Sequence, residues 1–207
     1  MKRILFAIVL LISFLQVAKS QVIRLENGVA ISHIKDGFNR DIYTYQNSLG
    51  LDYMDRNWYY LSSNVGYYRA GGEIYVAQSP TDLFLQALYV DYLTFNTTFN
   101  AKVNLSGKCH VYAGVGPRLN VKVNHSASND IDLESFNEEF LSHIHLNALD
   151  FGLKTTIGFN YDLRKVSLGI SASYLPSFTK VLKKEEGIRK PGRNSTFTFG
   201  LLLGYKI

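Results

Sequence analysis

The chain has 207 residues, 22 Lys and Arg against 17 Asp and Glu, and a formal net charge of +5. Its single cysteine, Cys109, excludes an internal disulfide framework and a Cys-rich zinc site. More than half of the excess positive charge sits in the first twenty residues, which carry Lys2, Arg3 and Lys19 and no acid, so the basic pI is not a nucleic-acid signal.

Those first twenty residues read as an export signal. Lys2 and Arg3 form a positive start, residues 4–15 are apolar apart from Ser13, and Ala18-Lys19-Ser20 offers small residues where a signal peptidase reads. The expected organisation is a signal peptide over 1–20, cleaved before Gln21, and one domain over 21–207. No cysteine stands near the cleavage point, which argues against a lipoprotein. Beyond the leader no apolar run approaches the roughly 18 residues of a spanning helix.

Period-two alternation dominates the chain beyond the leader. It is weaker over 22–34, 43–54 and 58–69 and strong from residue 92 onward. In 92–105, Leu93, Phe95, Phe99, Ala101, Val103 and Leu105 alternate with Thr, Asn and Lys. In 109–123, Val111, Ala113, Val115, Pro117, Leu119, Val121 and Val123 share one face. Residues 149–161, 165–175 and 196–207 repeat the pattern, with Leu202 the exception in the last. These segments make eight predicted strands, several longer than the usual five or six residues. Their polar faces are rich in Gly, Ser, Thr and Asn, as a crowded, hydrated interior requires.

The connections alternate in length. Residues 55–57, 106–108 and 162–164 read as tight turns, and 35–42, 70–86, 124–147 and 177–194 as loops, mostly much longer. Short turns at one end, long loops at the other and long alternating strands predict an all-β fold: an eight-stranded antiparallel up-and-down transmembrane β-barrel. Closure gives every backbone donor and acceptor a partner on a neighbouring strand. Tyr43, Tyr45, Tyr53, Tyr59, Tyr60, Tyr67, Tyr68, Tyr89, Tyr92, Tyr161, Tyr174 and Tyr205 fall near predicted strand ends, suggesting aromatic girdles.

Stretches of the last third carry a resemblance. DFGLKTTIGFNYDLRKVSLGISASYL, RNSTFTFGLLLGYKI and the upstream VYAGVGPRLNV resemble the small outer-membrane β-barrel proteins of Bacteroidota, the PorT-like group. The likeness covers residues 90–207 well and 22–90 by pattern alone. It implies a barrel in a bacterial outer membrane, inserted by barrel-assembly machinery, and by analogy an accessory role in export or secretion. The chain departs from many such barrels in ending on Ile207 rather than Phe.

The predicted interior face carries Arg24, Glu26, Asp52, Lys102, Arg118, Lys122, Asp150, Lys154 and Lys206. In a narrow barrel such charges are expected to pair into a polar core. A sharper alternative is that Arg118, Lys122 and Lys154 line a site for a small anion. The loop over 124–147 is acidic and holds His125, His143 and His145, a combination that can bind a divalent ion but here lacks fixed ligand spacing. A short helix over residues 131–141 is compatible with its pattern. The loop over 177–194 is basic through Lys180, Lys183, Lys184, Arg189, Lys190 and Arg193, and either pairs with its acidic neighbour or meets lipopolysaccharide phosphates.

The sequence therefore predicts an integral outer-membrane barrel with a structural, adhesion or surface-interaction role through its long loops. Its expected partners are outer-membrane lipid and lipopolysaccharide, with a protein partner through the loops as a further option and no nucleic acid. It is expected to be monomeric, without cofactor, metal or catalysis. The lesser alternative is a lipid A-modifying enzyme built on His143 or His145 with Ser142 or Ser167, but no spacing fixes such a triad.

Overall fold

The computed structural model describes residues 22–35, 38–77, 83–129, 145–181 and 192–207. The predicted leader, the possible helix over 131–141 and most of the two charged loops lie outside them. Eight strands follow in order: β1 (Val22–Ile34), β2 (Ile42–Tyr53), β3 (Tyr59–Ala77), β4 (Leu83–Asn104), β5 (Cys109–Asn129), β6 (Leu149–Leu163), β7 (Val166–Pro176) and β8 (Asn194–Lys206). Each pairs antiparallel with the next, and β1 pairs with β8 from Val22↔Lys206 to Ile34↔Asn194, so the sheet closes. Among the described residues no helix is long and apolar enough to cross a membrane.

Alternation decides which way each side chain points. On β8, Leu201 is 70% exposed while Thr196 and Thr198 are 0% and 1% exposed. Leu25, Leu49, Phe95, Phe151, Leu168, Ile170 and Phe199 stand outward in the same way. An apolar wall around a polar centre is the inverse of a water-soluble barrel, and it matches hydrocarbon outside. Tyr43, Tyr45 and the stacked Tyr174 and Phe197 (ring centroids 4.6 Å apart) ring the long-loop end. Trp58, Tyr59, Tyr161 and Tyr205 ring the short-turn end.

The girdle prediction holds only in part. Tyr60, Tyr68 and Tyr92 point inward and are 3%, 1% and 0% exposed. Tyr59-Tyr60 and Tyr67-Tyr68 are doublets, and a pleated strand must turn one member of each doublet to the lumen.

The predicted loop over 70–86 is mostly strand. β3 and β4 stay paired from Tyr59↔Ala101 to Ala77↔Leu83, and β5 follows β4 to Asn129. The neighbours stop earlier. The β2–β3 ladder ends at Tyr68, beyond which Thr44 Oγ1 donates to the Arg69 carbonyl at 2.6 Å and Arg40, just before β2, bridges to Glu73, and β6 leaves β5 at Val121. Three strands thus continue past the last pairing with their neighbours for about 26–30 Å of strand at some 3.3 Å per residue.

A bulge marks where β5 leaves the wall. Tyr92 pairs with Lys122 but Asp91 pairs with Asn124, so Val123 is the extra residue. Beyond it β5 changes parity, and His125 and Ala127 come opposite the inward-facing Val90 and Leu88. At the other end the turn between β6 and β7 is shorter than expected: Leu163 pairs with Val166 across Arg164-Lys165, and Arg164 takes a left-handed φ of 38°.

Candidate functional site

The interior is built from three ion pairs in tiers. Nearest the short turns, the Arg24 guanidinium pairs with Asp52 and lies 5.5 Å and 5.7 Å from the ring centroids of Tyr60 and Tyr112. The middle tier centres on Glu26. Its carboxylate accepts from Lys154 Nζ at 3.4 Å, Ser171 Oγ at 2.8 Å, Gln46 Nε2 at 3.2 Å and Ser48 Oγ at 3.5 Å. Those donors come from β6, β7 and β2, so one β1 side chain ties four strands across the lumen.

The upper tier centres on Asp150. It accepts from Asn120 Nδ2 at 2.7 Å, Ser177 Oγ at 2.7 Å, Thr179 Oγ1 at 2.6 Å and Arg118 Nη2 at 3.4 Å. Asn120 also donates to the Tyr68 hydroxyl at 2.9 Å, and the Arg118 guanidinium faces the Tyr68 ring. Arg118 and Asp150 are 2% and 1% exposed, so the pair has little bulk water to lean on.

Three cations balance three carboxylates, and small residues make room for them. Tyr112 lies across the register from Gly158, and a Cβ at Gly158 would collide with the Tyr112 ring and hydroxyl. Gly158→Leu is therefore expected to cost about 1–3 kcal/mol through overpacking. Its check is the urea midpoint of heat-modifiable gel migration in detergent.

Of the predicted interior residues, Arg24, Glu26, Asp52, Arg118, Asp150 and Lys154 meet in these tiers. Lys122 does not. It sits half-buried at the mouth, opposite Tyr92, and makes no side-chain ion pair among the described residues. Arg118 and Lys154 already hold carboxylates, so the predicted cationic trio is not assembled as an anion site. Lys102 and Lys206 lie at the short-turn end and pair outward of the tiers, with Asp55 and with Asp162 (3.0 Å) respectively.

Above the polar tiers lies an apolar plug that the alternation does not announce. Ile34, Tyr68, Ala70, Leu88, Val90 and Tyr92 from the strands pack with Phe38, Leu146 and Val181 from the connections. The connections are laced over the mouth by backbone bonds: Asn147 N to Val181 O at 2.9 Å, Val181 N to Gly192 O at 2.9 Å and Lys35 N to Arg193 O at 2.9 Å. Gly71 and Gly72 let this happen. A Cβ at Gly71 would strike the Leu88 carbonyl, and the Phe38 side chain lies directly against Gly72. Sequence reasoning missed the plug because three of its members stand alone in loops, where no period marks them.

Of the basic loop, Lys180 and Arg193 are described and exposed at the mouth; Lys183, Lys184, Arg189 and Lys190 lie outside the described residues. His125 and the exposed His145 are described, whereas Ser142 and His143 are not. Ser167 is buried beside Gly204 at the short-turn end, the opposite end from His145, so these two do not come together. Among the described residues no cluster of three or more His, Cys, Asp or Glu side chains could hold a metal. Cys109 is half-buried on the outer face beside a short turn.

Solved structures share this geometry at the level of the fold. The outer membrane protein OprG from Pseudomonas aeruginosa superposes with a TM-score of 0.56 at 12% identity, covering 93% of this chain and 98% of its own. The chain has the fold of a small outer-membrane β-barrel. Neisserial surface protein A aligns at 16% identity over 88% of this chain and 95% of its own, with a TM-score of 0.47. Ail, the attachment invasion locus protein of Yersinia pestis, aligns at 14% identity over 91% and 99%, with a TM-score of 0.45. No protein-family model and no curated protein matches the chain.

Proposed function

We propose that this barrel sits in a bacterial outer membrane and works as a surface-interaction scaffold, with its contacts made by the β3–β4–β5 projection rather than through its lumen. The observation that carries this reading is the combination of a blocked interior and an extended exterior. Ion pairs fill the lumen in three tiers, the middle one spanning it from β1 to β6, and apolar side chains close its mouth, while three strands continue beyond the wall. Ordered strand is costly to hold outside a membrane unless its surface is used, because each residue fixed loses conformational entropy. The exposed Lys35, Arg40, Lys180 and Arg193 at the mouth suit the phosphates of an outer leaflet.

Two measurements test it. Purified barrel in liposomes is expected to leave small-sugar swelling rates at the level of empty vesicles; rapid swelling would overturn the blocked lumen. Cells displaying a version trimmed above Tyr68 and Tyr92 are expected to keep a heat-modifiable barrel but lose adhesion to surfaces that the full protein confers. Unchanged adhesion would overturn the role of the projection. Stoichiometric co-purification of envelope proteins, with loss of export on deletion, would favour the accessory role that the PorT-like resemblance implies. Release of acyl chains from lipid A by the purified barrel would favour catalysis.

A further inference from the structure

Five polar side chains stand on the lipid-facing wall between the two aromatic ends: Asn27, Asn47, Ser63, Thr97 and Thr155. Three are satisfied within the barrel itself. Ser63 Oγ and Thr97 Oγ1 bond each other at 2.9 Å, and the Tyr53 hydroxyl bonds Ser63 at 3.1 Å. Thr155 Oγ1 donates to the Tyr174 carbonyl at 3.2 Å. Asn27 and Asn47 are different. Both are exposed, and among the described residues neither carboxamide has a hydrogen-bond partner.

These two residues are direct register partners on β1 and β2. Ile23 and Leu25 lie below Asn27, Val29 and Ile31 lie above it, and Leu201 of β8 is beside it. Leu49 and Leu51 lie below Asn47, its register partner Tyr67 stands beside it on β3, and Tyr45, stacked on Tyr67 (ring centroids 5.8 Å), lies above it. Asn27 and Asn47 therefore lie about 16–23 Å of strand from the ends of β1 and β2 at 3.3 Å per residue, within the apolar wall and just below the aromatic end at Tyr45. An amide facing acyl chains loses its water without gaining a partner, a cost of several kcal/mol by transfer scales.

We infer that the β1–β2 wall is the contact face of a homodimer within the membrane, in which Asn27 and Asn47 of one copy hydrogen-bond the same residues of a second. Three features favour a second copy over any other occupant. A carboxamide is donor and acceptor at once, so it is complementary to itself. Identical barrels inserted the same way hold these amides at identical depth, so a two-fold axis along the membrane normal brings them together without adjustment. The flanking Leu25, Val29 and Leu49 give the apolar packing that intramembrane hydrogen bonds require around them. This departs from the monomer that the sequence leads one to expect.

The test uses the mature barrel in bilayers, with Cys109 replaced by Ser. Asn27→Cys is expected to give a disulfide-linked dimer with a membrane-permeant copper oxidant, whereas Ile170→Cys, equally outward but on β7, is not. Independently, dilution of dye-labelled barrel in lipid is expected to show a dimer whose dissociation constant rises at least tenfold, the order set by an intramembrane hydrogen bond, in Asn27→Leu/Asn47→Leu. Heat-modifiable migration of that variant is expected to be unchanged, which separates lost association from lost folding. A monomer at all densities, equal cross-linking from position 170, or undiminished association of the double variant would overturn the inference. Were the double variant not to fold, Asn27→Ser/Asn47→Ser replaces it under the same criteria.

Discussion

Glu26→Ala is expected to lower folding free energy by about 3–5 kcal/mol, the usual consequence of leaving one member of a buried ion pair alone. The loss has a specific origin. Lys154 would be left without its carboxylate in a lumen where it is 8% exposed, and Ser171, Gln46 and Ser48 would lose the acceptor they share. Urea titration of the refolded barrel, read by heat-modifiable migration, measures it. Adding Lys154→Met to Glu26→Ala is expected to recover most of the loss, because the orphaned charge goes with it. A single variant within about 0.5 kcal/mol of the parent, a span typical of changes that touch no buried feature, would mean the middle tier does not hold the strands together.

Leu88→Ala is the second large effect, at about 2–5 kcal/mol for a buried aliphatic truncated in a packed cluster. Leu88 is 0% exposed at the centre of the plug, yet it lies above the last β2–β3 pair. The damage is therefore expected to be local. Hydrogen exchange of residues 84–92 and protease cleavage within 70–77 should rise sharply, while wall amides of β7 and β8 stay protected. Equal loss of protection in β8 would show that plug and wall unfold as one unit.

Those two sites differ in how visible they are in the amino-acid order. Alternation in β5, β6, β7 and β8 is legible because hydrocarbon demands an apolar residue at every second position. It fades where the chain leaves lipid. From Arg69 to Ala77 and from Leu83 to Asp91 the projecting strands have no such external constraint, and the inward positions themselves turn apolar at Leu88 and Val90. That is why the hairpin resembles a loop from its composition. The charged interior positions follow from the same parity rule, but their partners do not. Glu26 meets Lys154 across 128 residues, through a shear and closure that no local pattern encodes. Ser177 and Thr179 lie just past β7, and only the folded mouth brings them to Asp150. Asn27 and Asn47 can be seen as breaks in two apolar faces, but that they are neighbours is a matter of register.

The seam between β1 and β8 has a practical consequence. It is thirteen residues of ladder no different in kind from its neighbours, and it leaves Val22 beside Lys206 at the rim that carries the tight turns. A ring has no privileged starting point. A short linker joining those two ends, with the chain opened instead at Asp55-Arg56-Asn57, would yield a circular permutant with the same wall, the same tiers and new termini. Such a rearranged gene would let a different point of that same rim be labelled or fused without touching the hairpin that projects from the opposite one.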